Sequence, residues 1–113
     1  MVKDGKKERE MAALLYETFL ACKTEEDVEA LLEDLCTYTE VEQMAQRVKA
    51  AQLLQEGKTY SEVIAATNIS SATLSRVSRC VRYGSGAYEK FVPKRETEEE
   101  KQTDNGSAPP EGK

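Results

Sequence analysis

Residues 59–81 have the sequence TYSEVIAATNISSATLSRVSRCV, and this stretch decides the fold because it predicts two short helices joined by a tight turn. Thr59 and Glu62 form a T-x-x-E capping box, in which each side chain satisfies an unpaired backbone amide at the start of a helix. Asn68 follows this first helix where the chain must turn, and Asn tolerates the left-handed backbone conformation better than most residues. Ser70 is then the expected N-cap of the second helix.

The predicted second helix has two chemically different faces. Leu74, Val77 and Val81 recur at helical spacing, so we expect them to pack against the first helix. Small side chains on the other face would let the helix approach base edges and phosphates, and arginine can bind guanine or phosphate in bidentate fashion. The opposite face has this composition, with Ser71, Ala72, Thr73, Arg76 and Arg79. The pattern predicts a helix-turn-helix over about residues 59–82 whose second helix contacts double-stranded DNA.

Individual contacts to DNA can be assigned from this arrangement. The residues expected near base edges are Ser71, Ala72, Thr73, Ser75 and Arg76. The residues expected to contact phosphates are Lys58, Thr59, Ser70, Arg79 and Arg82. Any helix pair in a bundle can show similar apolar spacing, so the DNA interpretation depends on the cap, the turn, the apolar anchors and the arginines agreeing in register.

Charge is distributed unevenly along the 113 residues, which carry a formal net charge of −5. Residues 1–46 contain five basic and twelve acidic side chains, and residues 70–95 contain six basic and one acidic side chain. Nucleic-acid binding depends on the local patch that meets the phosphates more than on the total charge. The basic patch consists of Arg76, Arg79, Arg82, Lys90, Lys94 and Arg95. Considered alone, such a patch could equally be a solvated charged face.

The chain length allows one helical domain, expected over residues 1–93, followed by an acidic and disordered tail over residues 94–113. A domain of this size buries only part of its surface, so dimerisation would be a natural way to enlarge the core. No apolar run approaches the length of a membrane span, and the start MVKDGKKEREM lacks the hydrophobic region of a secretory signal. We therefore expect a cytoplasmic protein that makes no membrane contact.

The composition argues against metal and catalytic sites. Histidine is absent, and Cys22, Cys36 and Cys80 show no C-x-x-C spacing, so we expect no metal ligands and interpret the cysteines as small buried hydrophobic residues. Without histidine, no Ser-His or Cys-His pair can form, and no glycine-rich phosphate loop is present. We expect no catalytic residues, no enzymatic activity and no cofactor.

Further helices are predicted on both sides of the helix-turn-helix. Amphipathic spacing predicts a first helix over residues 6–22, and a cap at Thr24 predicts a second one that ends near Leu35. Thr39 and Glu42 form another T-x-x-E box that would open a third helix, which stops at Gly57. After Gly84, Ser85 is the expected cap of a short final helix that ends before Pro93.

Three segments together resemble the tryptophan repressor superfamily, and most closely its small repressor-like bacterial members. These are YTEVEQMAQRVKAAQLLQEGKTY, ISSATLSRV and RCVRYGSGAYEKFV, and the resemblance covers roughly residues 31–92. It implies an all-helical, intertwined homodimer in which each chain presents one helix-turn-helix. Two such motifs related by a two-fold axis would enter successive major grooves about 34 Å apart, so the operator would be a pseudo-palindrome.

The resemblance also implies a place for an effector. In the repressor, two arginines clamp tryptophan; the matching positions here are Arg47 and Arg76, with Thr39 matching a threonine of the pocket. Val77 stands where the repressor has the glycine that makes room for the indole, and Cys80 replaces a small hydroxyl residue. We therefore do not expect tryptophan to be the corepressor, and an unidentified small-molecule effector is left open.

The function predicted from these residues is sequence-specific transcriptional regulation, most simply repression by a dimer that occludes a promoter. One alternative is a DNA-binding module for replication or transposition, for which a partner protein would have to supply the ATPase or nuclease. Another is a helical dimer that binds a protein and whose DNA-reading helix is vestigial.

Overall fold

The computed structural model describes residues 5–94, and this part of the chain contains helices and no strands. The helices are α1 (Lys6–Leu20), α2 (Glu25–Leu35), α3 (Tyr38–Gln55), α4 (Tyr60–Thr67), α5 (Ser71–Tyr83) and α6 (Ala87–Phe91). The predicted all-α class is confirmed. The tail predicted to be disordered lies outside the described residues, except for Lys94.

The chain divides into two compact units, Met1–Glu42 and Gln43–Lys113, of which the structure describes residues 5–42 and 43–94. The first unit contains α1, α2 and the start of α3. The second contains the rest of α3 and the helices that follow. The single domain expected over residues 1–93 stays a prediction.

The start of α2 is capped as the sequence predicts. The Thr24 hydroxyl accepts a hydrogen bond from the backbone N–H of Asp27 at 3.0 Å, and the Asp27 carboxylate accepts one from the backbone N–H of Lys23 at 2.9 Å. The bond from the Lys23 amide favours the ionised carboxylate and is the main reason why the pKa of Asp27 lies below its usual value. Two of the amides at this end of α2 are thereby satisfied.

The start of α3 differs from the prediction. The reciprocal cap is formed by Thr37 and Glu40, whose backbone N–H groups bond to each other's side chains at 2.7 and 3.0 Å. The expected Thr39–Glu42 box is therefore wrong, because α3 has already begun at Tyr38 and Thr39 lies inside its first turn. The sequence TYTEVE contains two overlapping T-x-x-E patterns, and the chain uses the earlier one.

The end of α3 is determined by Gly57, as predicted. Gly57 has a φ of +90°, which places it in the left-handed region that favours glycine. Its N–H donates to the carbonyl of Leu54 at 3.0 Å, and the N–H of Lys58 donates to the carbonyl of Leu53 at 3.1 Å. This pair of bonds is a Schellman motif, which directs the chain away from α3 and into α4.

The core of the second unit lies where α3, α4 and α5 meet. Its buried side chains are small or β-branched apart from one leucine, so the helices can approach closely. They are Ala50, Ala51, Val63, Ile69, Leu74 and Val77, with Leu53, Leu54, Ile64, Val81 and Tyr88 packed around them. The apolar stripes predicted for α4 and α5 are confirmed as the sides that form this core.

The last described segment is attached to α3. The side-chain amide of Gln52 donates to the carbonyl of Pro93 at 2.7 Å, and its oxygen accepts from the ammonium of Lys49 at 2.9 Å. Val92, which precedes Pro93 in the sequence, is buried. The predicted cap at Ser85 is wrong, because α6 begins after Gly86, which has a φ of +91° and makes no side-chain cap.

Large apolar side chains of α1 are exposed in the first unit. Neither α1 nor α2 contains a buried residue. Met11 and Leu14 are each 63% exposed and Leu20 is 81% exposed. A stripe of this size on a single helix normally needs a partner surface.

Candidate nucleic-acid interface

The start of α4 positions Lys58 and Thr59, two of the predicted phosphate contacts. The capping box is present, with the N–H of Thr59 donating to the Glu62 carboxylate at 2.9 Å and the N–H of Glu62 donating to the Thr59 hydroxyl at 3.2 Å. The Thr59 amide is the largest cause of a lowered pKa for Glu62, and the charge of Lys58 contributes in the same direction. The predicted helix start is confirmed.

The turn between α4 and α5 is fixed by backbone geometry and by two side chains. Asn68 adopts the left-handed conformation with φ 63° and ψ 17°, as predicted, and its N–H donates to the carbonyl of Ile64 at 2.8 Å. The Thr67 hydroxyl donates to the carbonyl of Val63 at 2.8 Å and accepts from the N–H of Ile69 at 3.2 Å. Ile69 is buried, so the turn is anchored in the core.

A glutamine from α3 braces the same turn. The Gln46 side-chain amide donates to the carbonyl of Thr67 at 3.2 Å, across 21 positions of sequence. This carbonyl lies at the end of α4 and has no partner within that helix, so Gln46 supplies its hydrogen bond from α3. Gln46 therefore helps to hold the angle at which α5 leaves the turn.

Ser70 caps α5, which confirms the prediction of its start. Its hydroxyl accepts from the N–H of Thr73 at 3.1 Å and donates to the Thr73 hydroxyl at 2.9 Å. The hydroxyl donor of Ser70 is thus used inside the chain. The backbone amides of Ser71 and Ala72, in the first turn of α5, make no hydrogen bond to another described residue.

The two predicted faces of α5 are present. Leu74, Val77 and Ser78 are buried, with 0%, 2% and 5% of their surfaces exposed. Arg76, Arg79 and Arg82 are exposed, and none of the three forms an ion pair with a carboxylate in residues 5–94. We call these three arginines the cationic face.

The predicted DNA contacts divide by exposure. Thr73 and Lys58 are half-buried. The others are exposed, namely Thr59, Ser70, Ser71, Ala72, Ser75, Arg76, Arg79 and Arg82. All except Lys58 and Thr59 lie on α5 or on its cap, so one rigid helix carries most of the candidate interface. Their contacts with DNA stay predictions.

The predicted effector residues have mixed surroundings. Thr39 is exposed and belongs to the first unit, and Arg47 is half-buried on α3. Val77 is part of the buried core, whereas Arg76 and Cys80 are exposed on α5. The interpretation of all three cysteines as buried is therefore wrong for Cys80, which lies on the solvent side of α5, and Cys22 and Cys36 are half-buried.

Residues 5–94 contain no group of three or more His, Cys, Asp or Glu side chains arranged to hold a metal ion. No helix in the same range is both long and apolar enough to cross a membrane.

Two residues that support the site were not found from the sequence. Gln46 braces the turn before α5, and Gln52 holds the segment after α6. Their hydrogen bonds join positions 21 and 41 residues apart, and neither glutamine belongs to a local motif. The one available signal was that each glutamine is a polar residue on the inner side of α3. Buried amides normally have hydrogen-bond partners, so such a residue indicates a contact with another segment.

Comparison with known proteins gives consistent results. The profile of the Trp repressor protein family matches residues 10–96. The uncharacterized protein YerC of Bacillus subtilis is 41% identical over 87 residues, which cover 76% of this chain and 84% of YerC. Both results concern most of the chain and include all of the candidate interface.

Two solved structures are also similar. A Trp repressor candidate from Staphylococcus aureus superposes with a TM-score of 0.69 at 30% identity, covering 74% of this chain and 91% of that one. A TrpR-like protein from Eubacterium eligens superposes with a TM-score of 0.70 at 32% identity, covering 72% and 84%.

Proposed function

The chain belongs to the Trp repressor family, and from this membership and the geometry of α5 we propose that it is a dimeric transcriptional repressor that reads a pseudo-palindromic operator. The single observation that carries the proposal is the exposed cationic face on a helix whose other side is locked in the core. Proteins of this family are DNA-binding regulators rather than enzymes, so the function is binding and not catalysis.

The first turn of α5 is suited to close approach to DNA. Ser71 and Ala72 have small side chains, and their amides have no partner among the described residues. Such amides at a helix start can donate to a phosphate oxygen. The Thr73 hydroxyl, whose oxygen already accepts from Ser70, retains its own hydrogen to donate.

The arginines lie farther along the helix, at positions where bidentate contacts are possible. Arg76 follows the small residues by one turn and is assigned to a base edge, while Arg79 and Arg82 are assigned to phosphates. Because Leu74 and Val77 are packed in the core, α5 cannot rotate without breaking that packing. The contacts to DNA would therefore be made as one rigid set.

A second copy of this chain is the proposed partner of the first unit. Met11, Leu14 and Leu20 of α1 are largely exposed in the single chain, and burying such side chains contributes roughly 1.5–3 kcal/mol each when burial is complete. Two copies would place two α5 helices, one from each chain, on one face of the DNA as recognition helices. This pairing is what a pseudo-palindromic operator requires.

An apolar groove in the first unit, together with the exposed apolar stripe of α1, supports a second copy as the occupant. Within the first unit, a groove of about 600 Å³ is lined by apolar residues of α2 and the start of α3 and is edged by Glu25, Glu29 and Glu33. The start of α1 carries Lys6, Lys7 and Arg9 together with Glu8 and Glu10, and its apolar stripe follows. An α1 helix from another copy would bring the apolar side chains that the lining of the groove can bury.

No small-molecule effector is part of this proposal, and tryptophan in particular is not proposed as a corepressor. Val77 occupies the position where the resemblance requires a glycine, and its side chain is 2% exposed among core residues. Removing that side chain to admit an indole would also remove part of the packing that holds α5. The proposal therefore does not depend on a corepressor.

The DNA-binding part is tested by measuring the affinity for random genomic fragments at several salt concentrations. Removing one phosphate contact should flatten the slope of log affinity against log salt by about one unit, so Arg79→Gln should flatten it by about two units in a paired complex. Lys23→Gln is the matched control, because it removes the same charge from the first unit. We expect the control to keep the wild-type slope.

Two outcomes would contradict the proposal. If the wild-type chain retards no DNA at low salt, the recognition helix is vestigial and the protein-interaction alternative is favoured. If Arg79→Gln and Lys23→Gln have equal slopes, Arg79 does not contact a phosphate.

A further inference from the structure

The cationic face has no countercharge of its own. Its three arginines are exposed and have no ion pair within residues 5–94. Over residues 70–94, Glu89 is the one carboxylate in the sequence. A concentrated positive surface of this kind attracts any polyanion that can reach it, and DNA is not the only polyanion available.

The chain leaves the second unit from a fixed point. The Gln52 amide holds the carbonyl of Pro93 at 2.7 Å, and Val92 is 9% exposed. Tyr88 of α6 packs against the core that includes Val77 of α5. The sequence that follows Lys94 therefore starts from a helix that packs on the recognition helix.

That following sequence is acidic at short range. Glu96, Glu98, Glu99 and Glu100 supply four carboxylates within five positions, flanked by the cations Lys94, Arg95 and Lys101. A chain spans at most about 3.5 Å per residue, so Glu100 can lie up to about 21 Å from Lys94. Helix α5 has 13 residues and is about 20 Å long, at 1.5 Å per residue. The fully extended stretch from Lys94 to Glu100 is therefore about as long as α5.

We propose that the acidic segment 96–100 binds the cationic face of α5 and competes with DNA phosphates for it. This inference rests on the proposed function, to which it adds a regulation of the same site. The tethered segment would reduce the fraction of chains whose α5 is free, and the apparent affinity for DNA falls by that fraction. Exposed ion pairs are individually weak, but three of them on one tether would give a reduction of roughly tenfold at low salt.

The contact is tested first without DNA, in the full chain. A variant with Glu96→Gln, Glu98→Gln, Glu99→Gln and Glu100→Gln keeps the length and removes the charge. The control carries Glu26→Gln, Asp34→Asn, Glu42→Gln and Glu56→Gln, which remove four exposed charges elsewhere. NMR spectra of the arginine side chains and α5 amides should differ between wild type and the tail variant at low salt, and the difference should vanish as salt rises.

DNA affinity is then measured for the same three proteins. The tail variant should bind about tenfold more tightly at low salt and equally at high salt, so its salt slope should be steeper than that of the wild type. The control should show a smaller gain. Unchanged α5 resonances in the tail variant would overturn the contact, whatever the DNA result.

The remaining outcomes separate this inference from the proposed function. If the resonances change and DNA is bound with unaltered affinity, the competition is wrong. If the resonances change and none of the proteins binds DNA, the proposed function fails while the contact itself stands.

Discussion

Leu14→Ala should weaken the proposed dimer without unfolding the chain. The substitution removes about three carbon groups, each of which contributes about 0.8 kcal/mol when fully buried. Because 63% of Leu14 is exposed in the single chain and available for burial, the loss is about 1.5 kcal/mol per copy and about 3 kcal/mol per dimer. This corresponds to a roughly hundredfold rise in the dissociation constant.

Sedimentation equilibrium measures this change directly, since the monomer mass is 12.6 kDa. Glu17→Ala on the same helix is the control, and it should leave the dissociation constant within a few fold of wild type. Alanine is at least as good a helix former as leucine, so the helix content of the variant should not fall. A wild-type chain that is monomeric at micromolar concentration, or equal constants for Leu14→Ala and Glu17→Ala, would refute the assignment of α1 to the dimer interface.

Three other substitutions test the helix-turn-helix itself. Thr59→Ala removes the acceptor at the start of α4 and should lower the free energy of unfolding by about 1 kcal/mol, measured by urea titration. Asn68→Gly should be nearly neutral, whereas Asn68→Val should cost about 1–2 kcal/mol because a β-branched residue resists the left-handed conformation; equal stabilities would contradict this. The pKa of Glu62 is lowered in the folded chain, so its carboxylate stabilises the fold above its ordinary pKa, and this stabilisation is lost as the pH falls through the lowered value. Glu62→Gln should therefore make the free energy of unfolding less dependent on pH in this acidic range. An unchanged pH dependence would exclude Glu62 as its source.

Local signals in the sequence were sufficient to predict the helix-turn-helix. The Thr59–Glu62 box, the left-handed Asn68 and the Ser70 cap act over three or four residues, and all three are present. Each of these features satisfies backbone groups that a helix end leaves unpaired. The residue type at the position is therefore enough to predict the feature.

Where two local signals overlapped, the sequence could not choose between them. Thr37–Glu40 and Thr39–Glu42 fit the same capping pattern, and the choice depends on how closely α3 follows α2. Ser85 is a good cap by residue type, but Gly86 takes that position because the turn requires a positive φ. Both errors concern boundaries, and neither changes the number of helices predicted.

Long-range polar contacts were beyond prediction from the sequence. Gln46 bonds to Thr67 and Gln52 bonds to Pro93, and no periodic pattern marks either partner. The exposure of Cys80 likewise depends on the final position of α5 against α4. These contacts set the angle and the attachment of α5, and a pattern of residue types does not contain that information.

The most direct test of the central claim is selection of bound sequences from a random DNA pool by the full-length chain. The proposed pairing of two α5 helices predicts a pseudo-palindromic consensus whose half-site centres are separated by about 34 Å, or one helical turn. Arg76→Ala should relax the preference at one position of each half-site. A pool that shows no enrichment, or a single half-site without its symmetry mate, would contradict the account.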